Sequence, residues 1–284
     1  MSAVANGKEA ETLQQPPLAS SSSSVSMHIS ANTKYIISTS GRVTSLKRYK
    51  RMLQDILAVD IAYVPISSGD PTDAKIQPAK FANALKGLPC IGGAISRDIK
   101  HSIIPFLDKV DDYARAVQSV NTVLVTSDGK LAGYNTDALG FKAAIQGGIQ
   151  KSTTPIKTAI CYGYGGVAFV VVTVLRELGI EVVMAGRNMT TAAVRAEELK
   201  TEVWDPSSAS PADLFINATP ASEHPLEEAP NFLEAIKGCK LAFDHEMPGT
   251  YLRQYCAEQK QQGSDLQLIL GEDMYYPVSL YIYY

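Results

Sequence analysis

The sequence predicts an α/β protein of two domains. Three observations carry that reading. Residues 158–185 run strand, glycine turn, helix, strand, the start of a mononucleotide-binding half of a doubly wound sheet. Residues 35–134 alternate apolar strand-like runs with helical spacing, the pattern of a separate α/β unit. Between the two, Gly147-Gly148 and Ser152-Thr153-Thr154-Pro155 read as linker-like punctuation.

Taken in order, residues 1–33 are rich in Ser, Ala and Gln, with Pro16-Pro17 and a serine run over residues 20–24. They hold no apolar signal core and lack the arginines of a transit peptide, so a disordered tail is expected. Tyr35 to Ser38 is a short strand. Thr44 to Ala58 has helical spacing, with Leu46, Tyr49, Leu53, Ile56 and Leu57 toward a core. Lys47, Arg48, Lys50 and Arg51 on that helix are either a solvated basic face or an anion contact. A strand over Ile61 to Ile66 and a helix from Pro78 to Leu88, with proline in its first turn, come next. Then follow a strand over Cys90 to Ile95 and helices over Ile99 to Phe106 and Asp108 to Val117. Val120 to Thr126 and Leu131 to Tyr134 make a hairpin about Ser127-Asp128-Gly129-Lys130. Asn135-Thr136-Asp137 opens a helix over Ala138 to Gln146.

In the second unit a strand, Thr158 to Cys161, leads into Gly163, Gly165, Gly166 and Ala168. The helix Val167 to Leu178 follows, closed by Gly179, and then the strand Ile180 to Ala185. Gly163 permits the tight turn, Gly165 the approach of a phosphate, and Ala168 close helix-to-sheet packing. The amides of Gly166 and Val167 at the helix start face an anion site. In this strand-turn-helix-strand context the turn reads as a dinucleotide site; by itself it would be only a structural turn. An NAD site usually carries an acid at the end of the second strand. Here the chain has Gly186-Arg187-Asn188, and Arg187, joined by Arg195, suits the 2′-phosphate of NADP. Taken alone, both are also compatible with solvated helix-end arginines. The remaining expected elements are a helix near Ala193 to Lys200, strands Leu214 to Ala218 and Leu241 to Phe243, a helix Leu252 to Gln261, a strand Leu266 to Leu270, and a closing segment to Tyr284.

Composition narrows the function. The chain has 284 residues, 45% hydrophobic and 19% charged, enough to bury a sizeable core. A net charge of −3 gives no pull toward nucleic acid, and the longest apolar run, Val167 to Leu175, is too short to span a membrane. Cys90, Cys161, Cys239 and Cys256 have no metal-ligand spacing and read as reduced, packed thiols of a cytoplasmic protein. No metal is expected.

Several segments together resemble the shikimate/quinate dehydrogenase family over roughly residues 34–284. They are Ser119-Val120-Asn121-Thr122-Val123, Gly133-Tyr134-Asn135-Thr136-Asp137 with Gly140-Phe141, Gly163-Tyr164-Gly165-Gly166, Gly186-Arg187-Asn188, and Ile216-Asn217-Ala218-Thr219. The resemblance implies an N-terminal substrate-binding domain (34–136), a Rossmann-type NADP-binding domain (137–265) and a C-terminal segment (266–284) returning to the first domain. It implies hydride transfer between NADP, with NAD possible, and a cyclic polyol or ketone of shikimate or quinate type, by a monomer or homodimer. Lys100 falls at the family's catalytic lysine and Asp137 at its catalytic aspartate. Read alone, Lys100 would be a solvated lysine and Asp137 a helix-start acid. Asn121 matches a substrate-binding Asn and Ser96 a substrate-contacting hydroxyl. Ala218, Thr219 and Gly271 fall along the cofactor cleft.

The departures also inform. The family's S-x-S clamp is not intact, and Thr44 and Ser45 are its nearest counterparts. Its N-V-T-x-P becomes Ala94-Ile95-Ser96-Arg97-Asp98. Tyr275 stands where the closing helix usually carries a Gln, and Asp244-His245-Glu246-Met247 replaces a more apolar segment. Loss of those polar partners points to a related cyclitol substrate, to weak activity, or to the alternative of a non-catalytic shikimate- or quinate-sensing protein.

Overall fold

The computed structural model describes residues 26–39, 43–66, 75–96, 99–207, 211–219, 229, 231–245 and 251–274. The first sheet holds β1 (Lys34–Ser38), β2 (Ile61–Pro65), β3 (Cys90–Ala94), β4 (Lys109–Val110), β5 (Thr122–Val125) and β6 (Leu131–Tyr134), in the order β2-β1-β3-β5-β6-β4. β1 lies parallel to β2 and β3, and β3, β5 and β6 run antiparallel in turn. Around it are α1 (Val43–Tyr49), α2 (Pro78–Gly87) and α3 (Asp112–Ala116). Phe81 and Leu85 of α2 pack with Ile103, Val123 and Leu131, while Leu53 packs with Ile36, Ile61 and Tyr63.

The single helix expected over 44–58 is two windings. After α1 the chain continues as a π-helix, Lys50–Ile56, in which the Leu57 N–H donates to the Met52 carbonyl five residues back at 3.0 Å. The wider winding buries Met52 and Leu53 side by side and turns Ile56, expected in the core, out to 52% exposure. The helix expected over 108–117 also begins late. Asp108 accepts the Leu131 N–H at 2.8 Å and pairs with Lys86 at 3.0 Å, which holds 109–110 as a strand beside β6. Asp111 then caps α3 by accepting the Ala114 N–H at 2.8 Å.

The second sheet holds β7 (Thr158–Tyr162), β8 (Glu181–Ala185), β9 (Glu202–Val203), β10 (Leu214–Asn217), β11 (Leu241–Asp244) and β12 (Gln267–Leu270). The order is β12-β11-β10-β7-β8-β9 with every pair parallel, the strand order of a Rossmann sheet. Its helices are α4 (Thr136–Lys151), α5 (Gly166–Glu177), α6 (Met189–Glu198), α7 (Asn231–Ile236) and α8 (Tyr251–Gln261). Side chains alternate between its faces. Ala159, Cys161, Leu214, Ile216, Leu241 and Phe243 pack with α4 and α5; Ile160, Tyr162, Phe215 and Ala242 pack with α7 and α8. Strand β9 and helix α7 carry too few residues to give a period and were not anticipated.

Three expectations need correction. Gly147-Gly148 is not a linker, because α4 runs through it to Lys151. A Cβ at Gly148 would lie 2.2 Å from Ile269 Cδ1, so the glycine lets the helix press onto β12. The strand β12 pairs with β11, so residues 267–270 belong to the second sheet rather than to a segment returning to the first domain. Of the tail expected to be disordered, residues 1–25 lie outside the described residues, but the stretch that follows is held against the first sheet. Met27 packs against the β1–β2 core, His28 exchanges hydrogen bonds with Gln54 at 2.9 and 2.8 Å, and Ser30 and Thr33 each donate to Asp60 at 2.5 Å.

The four cysteines are free thiols, and burial pushes Cys161, Cys239 and Cys256 up to about 12. Among the described residues, no helix is long and apolar enough to cross a membrane and no cluster of His, Cys, Asp or Glu has the make-up of a metal site.

Candidate active site

The site is assembled where α4 begins. Asn135 caps the helix, accepting the Ala138 N–H at 3.0 Å while its amide donates to the Ser119 carbonyl at 2.7 Å. Asp137 thus lies in the first helical turn, where exposed backbone N–H groups favour an anion. Lys100 enters from the first domain on a turn between buried Ile99 and Ile103, and its carbonyl accepts the Val120 N–H at 2.9 Å. Lys100 Nζ donates to Asp137 Oδ2 at 2.8 Å, with the two side chains 27% and 23% exposed. Burial pushes the Asp137 carboxyl up. The Lys100 ammonium, the charge of His245 and an Asn121 hydrogen bond more than offset that and hold it below the usual carboxylate value.

Asn121 braces this corner. Its Oδ1 accepts from the Thr136 N–H at 2.9 Å and the Thr136 hydroxyl at 3.1 Å, and its amide reaches Asp137. Ser96 is tied to Thr39: its N–H donates to Thr39 Oγ1 at 2.7 Å and the two hydroxyls lie 3.0 Å apart. Ser45 bonds Tyr63, whose hydroxyl also meets Ser38. The Thr44 side chain and all of Tyr275 lie outside the described residues.

The glycine turn has the shape a pyrophosphate needs. Gly163 has φ +126°, and a Cβ there would sit 2.8 Å from the Ala218 carbonyl oxygen and from Thr219 Cγ2. At Gly165 and Gly166 a Cβ would meet nothing within 4 Å. Gly165 is the N-cap of α5, so Gly166 and Val167 are its first residues, whose N–H groups have no acceptor within the helix, while buried Ala168 seats the helix on the sheet. Arg195 stiffens the turn: its Nε donates to the Tyr164 carbonyl at 2.9 Å, its guanidinium lies 4.8 Å over the Phe169 ring, and it pairs with Glu198 at 2.5 Å. Asn188 caps α6 by accepting the Thr191 N–H at 3.0 Å. Arg187 is exposed at the end of β8, with no acid beside it in the chain. The residues present therefore fit a dinucleotide.

The carboxyl ends of β10 and β11 hold groups that sequence reasoning did not assign. Buried Asn217 accepts from the Thr219 hydroxyl at 2.7 Å and donates to buried Asp244 at 2.9 Å. Arg253 reaches Asp244 at 3.6 Å and Glu272 at 2.6 Å. A polar residue closing an otherwise apolar strand, as Asn217 closes β10, was the available signal. Gly271 backs directly onto the Asp244 and His245 carbonyls.

Fold and site together define a Rossmann-type dinucleotide-binding protein with a second α/β domain, the two joined through a lysine–aspartate pair. No protein-family model matches the chain. It is 30% identical over 202 residues to shikimate dehydrogenase (NADP(+)) of Bacillus thuringiensis subsp. konkukian, covering 67% of this chain and 71% of that one. It is also 30% identical over 173 residues to the Geobacillus kaustophilus enzyme of the same name, covering 57% and 62%. The solved shikimate 5-dehydrogenase of Thermus thermophilus in complex with NADP(H) and shikimate superposes with a TM-score of 0.65 at 25% identity, over 88% of this chain and 92% of that one. The chain belongs to the shikimate dehydrogenase family. It spans 62% and 50% of the length of two of the curated relatives it matches.

Proposed function

We propose that the protein is an NADP-dependent dehydrogenase acting on the CH–OH group of a cyclic polyol acid of shikimate or quinate type. The 2.8 Å contact between Lys100 and Asp137 carries the reading. The bound nicotinamide would supply or accept the hydride. In the reducing direction the ammonium of Lys100 gives its proton to the carbonyl oxygen as the carbon accepts hydride. Asp137 orients Lys100 and compensates its charge, and Asn121 has a second amide hydrogen for a ring hydroxyl. The turn amides at 165–167, with Ala218 and Thr219 alongside, are suited to hold the pyrophosphate. Arg187, in the Gly186-Arg187-Asn188 segment at the end of β8, is suited to meet the 2′-phosphate, with Arg195 bracing the turn beside it through the Tyr164 carbonyl.

Absorbance at 340 nm with NADP and a panel of cyclitol acids including shikimate and quinate tests the reading. Turnover lost in Lys100→Ala supports it. Folded protein that turns over none of the panel sinks it, and tight shikimate binding without hydride transfer would instead favour a sensor.

A further inference from the structure

We propose that Tyr113, Lys142 and Glu177 are positioning residues: they form a clasp between the two domains that sets the angle at which Lys100 meets the nicotinamide. The catalytic half of this inference rests on the dehydrogenase reading; the geometric half does not. The three side chains close a ring of hydrogen bonds. The Tyr113 hydroxyl donates to Glu177 Oε2, and Lys142 Nζ donates to the Tyr113 hydroxyl at 3.2 Å and to Glu177 Oε1 at 2.5 Å. The ammonium also lies 5.9 Å from the centroid of the Tyr113 ring. The hydrogen bonds from Lys142 and then Tyr113 hold the Glu177 carboxyl below its usual value. Burial and the Glu177 hydrogen bond push the Tyr113 phenol up, so near neutral pH the phenol keeps its proton and the carboxylate its charge.

Of the three, Tyr113 alone belongs to the first domain, and α3 holds it there firmly. The Asp111 N–H donates to the Gly133 carbonyl at 2.9 Å, and the Asp111 side chain accepts from the N–H groups of Ala114 at 2.8 Å and Asn135 at 3.3 Å. Ala114 is buried in the core of the first domain with Val120 and Leu131. Val117, one turn after Tyr113, is instead buried in the apolar cluster of the second domain, with Phe141 of α4 and Val174 of α5, and the Tyr113 ring packs against that cluster. One short helix therefore has a face in each domain.

The domains also meet at the start of α4, where Lys100 pairs with Asp137 and Asn135 bonds the Ser119 carbonyl. A single attachment there would leave one domain free to turn about that corner. Lys142 lies five residues beyond Asp137, about 7.5 Å along the helix axis. Glu177 is the last residue of α5, whose first turn is suited to the pyrophosphate. A second attachment at this distance from the first removes the rotation and ties the first domain to the cofactor helix. Hydride transfer needs its atoms aligned at about 3–3.5 Å, and a shift of about 1 Å costs on the order of 10²-fold in rate. The Lys142 and Glu177 side chains are 27% and 45% exposed, and such a pair adds little to stability by itself, so its loss should show in geometry before stability.

The test reads the domain arrangement directly, by pulsed electron paramagnetic resonance on the full-length chain. Nitroxide labels go on cysteines introduced at exposed Lys80 of α2 and Glu197 of α6, in a Cys90→Ser background, since the other three native thiols are buried. Tyr113→Phe keeps the ring and loses the hydroxyl, and Glu177→Lys sets two ammonium groups side by side. Each should shift or broaden the distribution of label distances. Lys142→Glu combined with Glu177→Lys restores opposite charges and should return it. Distributions unmoved in both single variants, or left displaced by the charge swap, overturn the clasp. In turnover, both single variants should lose roughly 10–100-fold in kcat with NADP affinity little changed, and the swap should recover most of the loss. A displaced distribution with native kcat overturns the catalytic half. Native protein with no turnover overturns the dehydrogenase reading and that half with it, while the label distances still decide the clasp.

Discussion

Asp137 is pulled in two directions. Burial favours its neutral form, while the ammonium of Lys100, the charge of His245 and the amide of Asn121 favour the anion and prevail. The pH dependence follows. With its folded pKa below the unfolded value of about 3.9, the carboxylate contributes stability above about pH 4 and loses it as pH falls through the folded value. Urea unfolding between pH 3 and 7 should show native protein more stable than Asp137→Asn near neutrality, with the gap closing below about pH 4; a constant gap would refute the assignment. For turnover, Lys100→Ala should cost roughly 10²–10⁴-fold in kcat with NADP affinity little changed. Arg187→Ala should weaken NADP by about tenfold, or ~1.4 kcal/mol, and NAD far less. Equal losses for both cofactors would remove the 2′-phosphate role. Lys100 and Asp137 were legible in the sequence because they sit inside segments that resemble a known family.

At the scale of elements, helix α4 separates what a local pattern says from what packing needs. Two successive glycines look like a break, yet the helix continues through both. They differ in surroundings: a Cβ at Gly147 would meet nothing within 4 Å, whereas one at Gly148 would lie 2.2 Å from Ile269 Cδ1. Gly147→Ala should therefore stabilise by roughly 0.4–1 kcal/mol through the unfolded chain. Gly148→Leu should destabilise by about 1–3 kcal/mol through overpacking against β12. Thermal melts of the two variants check this, and shifts of the same sign would show that the α4–β12 contact is looser than described. The strands were legible because their alternation is local. The π-winding after Tyr49 was not, because it follows from how Met52 and Leu53 meet the first sheet.

For the molecule as a whole, cofactor binding is an independent test of the second domain. NADP at 100 times its dissociation constant should add about 2.7 kcal/mol to stability, and so raise the melting temperature by several degrees. NAD at the same concentration should raise it less. No shift with either dinucleotide would sink the cofactor reading whatever the outcome of turnover assays. Deleting residues 1–33 removes Met27 from its core contact and the partners of Asp60 and Gln54, and should lower the melting temperature; an unchanged melt would show that those contacts contribute nothing.

By itself the sequence determined the α/β class, most of the strands and the glycine turn, because each is written within a few neighbouring positions; Lys100 and Asp137 were picked out only by the resemblance of the segments that carry them. The tertiary structure alone decided the strand order of the two sheets, the passage of α4 through its glycines and the meeting of Lys100 with Asp137 across 37 residues of chain. Those depend on which buried faces find one another in space, a property of side-chain packing that spacing along the chain does not contain.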